Sequence, residues 1–174
     1  MILNINRQPP QPIPPYDDEL SEAEQQLRMQ HCPQLDLCQV DSPQPIAHYL
    51  QALLAYYLEL PLAQVGLNDH LIDQIERRFL AKWFNTPEPE VTDGRILCGS
   101  DEQAQQASGF SDRGIVMFTW LTFDLPNAIG VHTAADGEQA TFSIDEHQIG
   151  DYHQCLTLNA LAQYFYKISQ HLPR

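Results

Sequence analysis

Residues 114–125 read GIVMFTWLTFDL. The run is rich in β-branched and aromatic residues and carries no charge before Asp124. Those side chains fit a pleated, buried surface. Both alternating sets of positions are apolar, which predicts a central strand covered on each face. The fold reading follows from this stretch outward. Upstream, RILC (95–98) predicts a short strand, separated from the central one by the polar loop GSDEQAQQASGFSD (99–112). Downstream of Pro126, AIGVHTA and QATFSID flank Ala135-Asp136-Gly137-Glu138. Asp-Gly between two alternating runs predicts a hairpin. ILNIN (2–6) alternates weakly and adds a short strand at the N-terminus.

The helical signals lie elsewhere. A first helix is expected over about Asp18 to Gln30, with Ser21 and Glu24 spaced as a capping box and a thin stripe of Leu20, Ala23 and Leu27. A second has Ser42 as its cap, Pro43 and Pro45 in its first turn and Pro61 at its end. Its wide stripe runs from Ile46 through Leu50 and Leu54 to Leu58, which marks it as central to the core. A third begins near Asp69, with Leu71, Ile75 and Phe79 on one side and Arg77, Arg78 and Lys82 on the other. NTPEPEVTDG (85–94) reads as a loop. A final helix covers about Leu158 to His171, capped by Thr157 or Asn159. Strands and helices are segregated rather than alternating, so the expected class is α+β. It would be a mainly antiparallel sheet of about four strands packed with three to four helices. Residues 1–16 form a short strand and a proline-rich arm, QPPQPIPP (8–15), that cannot enter a helix or a central strand. Residues 17–174 form one domain.

Composition sets further bounds. The chain has 174 residues, 43% of them hydrophobic, enough for a single core. Twenty-three acids against nine basic residues give a formal charge of −14. No stretch is rich in Lys or Arg, so no nucleic-acid partner and no anionic membrane surface is expected. No apolar run approaches the roughly 20 residues of a membrane span. The N-terminus MILNINRQPPQPIPP lacks the pattern of a secretory signal, so a cytoplasmic location is expected, with the four cysteines reduced.

The chemical motifs are negative or thin. G-x-G-x-x-G, the P-loop pattern and G-x-S-x-G are absent. Cys98, ahead of Gly99, and Cys155, ahead of the last helix, are the thiols to consider as nucleophiles. Asp145, Glu146, His147, Asp151 and His153 fall within nine residues, but their spacing matches no closed metal site, and HExxH is absent. His31, Cys32 and Cys38 lack the second tight pair of a zinc finger. No cofactor and no metal is therefore assigned.

Charge distribution is the positive signal. From Gly114 to Tyr166 there is no Lys or Arg, while Asp124, Asp136, Glu138, Asp145, Glu146 and Asp151 all lie there. Residues 16–45 hold seven acids, Asp17, Asp18, Glu19, Glu22 and Glu24 among them, against one Arg. Helix-one acids and the set Asp136, Glu138, Asp145, Glu146 and Asp151 are thus the expected contacts for a protein partner. The profile of a small acidic domain without catalytic motifs resembles the immunity proteins that neutralise basic bacterial toxin domains; no alignable motif carries the likeness. It implies steering of a basic toxin domain by carboxylates and direct inhibition by binding. Two alternatives are a small enzyme, using Cys98 or Cys155 or a metal at His147 and His153, and a chaperone or adaptor docking through a sheet edge or the proline arm.

Overall fold

The run that reads as a central strand is a helix. In the computed structural model, which describes residues 1–17, 19–84, 90–92, 95–97, 115–135 and 137–172, helix α4 has three parts. These are an α-helical Ile115–Thr119, a π-type Trp120–Asp124 and an α-helical Leu125–Ile129. The π turn is visible in the Leu125 N–H, which bonds to the Trp120 carbonyl five residues back. One face of α4 buries Val116, Met117, Trp120, Leu125, Ala128 and Ile129. The other carries Phe118 and Phe123 outward, each more than half exposed. Apolar residues on two helix faces imitate a strand covered on both sides. The residue inserted by the π turn moves the buried spacing from Trp120 to Leu125 and so breaks the helical period.

The sheet is also arranged differently from expectation. Strand β1 (Ile2–Arg7) is its centre, flanked by β4 (Val131–Thr133) and β5 (Phe142–Asp145) in the order β4–β1–β5. Both neighbours run antiparallel to β1, with Arg7 opposite Val131 on one side and Ile2 opposite Asp145 on the other. The hairpin expected around Asp136-Gly137 is therefore not formed, since β1 lies between its two arms. Ala134 N–H bonds to the Asn4 carbonyl, Asn6 Nδ2 donates to Glu138 Oε1 at 2.9 Å, and Thr141 N–H returns to the Ile5 carbonyl. The sheet has three strands rather than about four. A separate antiparallel pair, β2 (Glu90–Thr92) and β3 (Arg95–Leu97), lies apart from it. β2 falls inside the segment expected to be a loop, and β3 matches the RILC expectation. The 99–112 loop lies outside the described residues.

The remaining helices follow their sequence signals closely. In α1 (Glu22–Met29) Ser21 and Glu24 make the reciprocal capping box, yet no residue of the helix is buried. α2 (Pro43–Leu58) starts at its two prolines without a side-chain bond from Ser42. It ends at Glu59, which sits in the left-handed region at φ 51°. α3 combines a π-type Leu71–Glu76 with an α-helical Arg77–Phe84 and is capped by His70. α5 (Glu146–Ile149) is one turn, and α6 (Leu158–Ser169) is capped by Thr157 Oγ1 on Ala160 N–H. α2 packs along α6. Ile46, Leu50, Leu53 and Leu54 from the first and Leu158, Leu161 and Ala162 from the second are fully enclosed. The proline arm is laid onto this body. Gln8 N–H bonds to Gly130 O, Gln11 N–H to Asn127 O and Tyr16 N–H to Tyr57 O, and Ile13 is buried. The close approach at Gly130 needs glycine, because a Cβ there would stand 2.2 Å from the Gln8 carbonyl oxygen and φ is +73°. No described helix is long and apolar enough to cross a membrane.

Candidate functional site

A cleft of about 580 Å³ opens where α4, the sheet, α6 and the 150–156 segment meet. Leu3 and Ile5 of β1 and Val131 of β4 form one wall, Phe118, Leu121 and Thr122 of α4 another. Tyr152, Tyr164 and Phe165 close the side formed by α6 and its approach. The π turn and Pro126 together explain how Tyr152 comes to be there. Leu125 N–H has moved to Trp120 O, and the next residue, Pro126, has no N–H to give. The Leu121 carbonyl is thereby left without a helical donor, and Tyr152 Oη donates to it at 2.7 Å. Burial then raises the Tyr152 phenol, with Tyr164 and Cys155 adding to the shift. Burial likewise pushes the Tyr164 phenol up to about 12.

Some of the titratable groups that the sequence singles out meet at this cleft, while Asp145 and His147 do not line it. Glu146, Asp151, His153 and Cys155 line it, and His132 joins them from β4. The Cys155 thiol donates to the Asp151 carbonyl at 3.6 Å. Burial raises this thiol, Asp151 raises it further, and Lys167 acts in the opposite sense. The helix N-terminus that follows does not prevail, so the group is a neutral thiol, opposite to what a nucleophile needs. His132 is pulled below its ordinary value by burial, against a smaller opposing effect of Glu138. Cys98 lies outside the described residues. Among those described, no three His, Cys, Asp or Glu side chains converge as a metal site. Cys32 is buried and Cys38 half-buried.

The acidic residues divide by anchorage. Asp17 accepts from Glu19 N–H at 3.1 Å, and Glu24 is bound up in the cap of α1, which lowers its carboxyl. This set is fastened to the C-terminal end of α2 by the Arg28–Glu59 ion pair and by Tyr16 on Tyr57. Glu138 is fixed to Asn6 at one end of β1. Asp145 and Glu146 sit at the other end, 3.8 and 3.9 Å from the Met1 amino group. Asp145 caps α5 through His147 N–H, and Asp151 caps the Tyr152–Gln154 turn through His153 N–H. Among the described residues no hydrogen bond or ion pair joins the α1 set to the β5–α5 set. Asp18 and Asp136 lie outside the described residues. The side chains that sequence reasoning missed are Phe118, Leu121, Thr122, Tyr152 and Tyr164. The spacing 118, 121, 122 was the available signal, a helical one within a run read as extended. Compared with protein-family models, with curated proteins and with solved structures, the chain matches none.

Proposed function

We propose that this chain is an acidic protein-binding, inhibitory domain of the immunity type, which captures a basic toxin domain by direct contact. One observation carries the reading. None of the eight described candidate acids is buried, and the Met1 amino group is their only ion-pair partner among the described residues. Three arginines are used elsewhere: Arg7 faces Asp36, Arg28 meets Glu59 and Arg78 meets Asp69. Where the fold uses the candidate carboxylates, it uses them as helix caps and turn anchors, which leaves their charge in place. The result is a surface whose anionic field is not cancelled from within, suited to steering a cationic domain. A cytoplasmic location would let the inhibitor meet the toxin in the cell that makes both.

The test is co-expression with the basic C-terminal domain of a large secreted protein encoded beside this chain's gene. Restored growth and a co-purifying complex are the expected result. Continued toxicity with no complex would remove the reading. An adaptor docking through the open outer edge of β4 or β5 would instead bind with little dependence on salt.

A further inference from the structure

The cleft shares Glu146 and Asp151 with the acidic set above, but sets them beside an apolar, aromatic pocket that surface capture of a protein does not use. Its formally charged lining is acidic. Glu146 and Asp151 contribute carboxylates, and His132 contributes a ring nitrogen. Two of the cleft's donors are committed within the fold, Cys155 Sγ to the Asp151 carbonyl and Tyr152 Oη to the Leu121 carbonyl, and Thr122, Thr133, Tyr164 and His153 add neutral or ring donors without changing the sign of the lining. No Lys or Arg lines the space. Lys167 is turned to the Ile149 carbonyl at 3.3 Å, and the Met1 amino group stands 3.9 Å from Glu146. The rest of the lining is apolar and aromatic. The rings of Tyr152, Tyr164 and Phe165 cluster with centroids 5.2, 6.0 and 5.4 Å apart, and the exposed ring of Phe118 stands on the opposite wall. A volume of about 580 Å³ falls within the range of small-molecule sites.

We infer that this cleft binds an organic cation with an apolar body, an ammonium or guanidinium carried on an aryl or alkyl stem. The aromatic and aliphatic walls take the stem, and Glu146 and Asp151 take the charge. Aromatic faces add their own attraction for a cation. A neutral analogue loses the carboxylates, and an anionic one is repelled by them. The inference shares Glu146 and Asp151 with the toxin-binding reading but needs no protein partner, so a titration with small molecules alone tests it separately.

The experiment titrates the full chain, labelled with nitrogen-15, with three probes of one shape: 4-phenylbutylamine, 4-phenylbutanol and 4-phenylbutyrate. The amine is expected to give saturable amide shifts confined to the elements that line the cleft: β1, α4, β4, α5, the 150–156 segment, α6 and the turn of α3 at Ile72. Its affinity should exceed that of the alcohol by about tenfold, with no saturable shift from the carboxylate. Thr122→Trp, at an exposed position of the lining, should abolish binding. The pair Glu146→Gln and Asp151→Asn, in which Asn can still cap its turn, should bring the amine down to the affinity of the alcohol. Equal binding of amine and alcohol, no saturable shift from the amine, or undiminished binding by either variant would overturn the inference. Dispersed amide spectra of both variants identify a loss of binding as local rather than a loss of fold.

Discussion

At the scale of single residues, the hydrogen bond from Tyr152 to Leu121 links the backbone irregularity of α4 to the cleft wall. Tyr152→Phe should lower the unfolding free energy by about 1 kcal/mol, the net worth of one hydrogen bond. Chemical denaturation measures it, and an unchanged midpoint would mean that the carbonyl finds another donor at no cost. Cys155 is a neutral thiol held up by burial and by Asp151. Its alkylation by iodoacetamide at neutral pH should therefore be slower than that of an unstructured cysteine peptide. Faster modification, read by mass spectrometry, would restore the thiol-enzyme alternative. His132 has a folded-state value below its ordinary one. As pH falls through about 6.5 the unfolded chain takes up this proton first, so His132 withdraws stability below that pH and none above it. Wild type should lose Tm relative to His132→Gln between neutral and mildly acidic pH. A difference that stays constant would contradict the shift. The comparison must be between variants, because the −14 charge is itself being neutralised over the same range.

At the scale of elements, the signals that proved legible were local ones. The Ser21–Glu24 box, the prolines opening α2 and the Thr157 cap each act within one turn of chain, and each stands where its spacing predicts. Part of what was not legible depends on distant chain, and part on a local break in helical period. The Asp136-Gly137 dipeptide sits between two alternating runs, but β1, more than 120 residues upstream, separates them. α4 hides its period because a π turn adds a residue and Pro126 withholds a donor, so its two apolar faces imitate a buried strand. The cleft inherits this obscurity, since one of its walls belongs to the helix that reads as a strand. Its polar residues, Glu146, Asp151, His153 and Cys155, were visible as candidates, whereas its aromatic wall was not. α1 allows a test at this scale. It buries no side chain, so its cap rather than the core holds it. Ser21→Ala should accelerate amide exchange across 22–29 while leaving the global Tm nearly unchanged. A drop in Tm comparable to that of a core cavity would show that α1 is coupled to the body more tightly than its exposure implies.

At the scale of the whole molecule, the fold keeps the candidate acids out of its core, although it buries one other carboxylate, Glu76. α2 and α6 bury the apolar mass. Arg7, Arg28 and Arg78 are paired with Asp36, Glu59 and Asp69, and none of the described candidate acids is buried. The anionic surface is then available to a partner rather than consumed in folding. Salt dependence tests this most directly. The dissociation constant of the proposed complex with a basic toxin domain would be measured from about 50 to about 500 mM salt, a range over which surface attraction is progressively screened. The measurement is repeated for a variant carrying Glu19→Gln, Glu22→Gln and Glu138→Gln. The account predicts that wild-type binding weakens steadily as salt rises. The variant should bind less tightly at low salt and converge with wild type at high salt. Affinity that is flat with salt and indifferent to the three substitutions would contradict it.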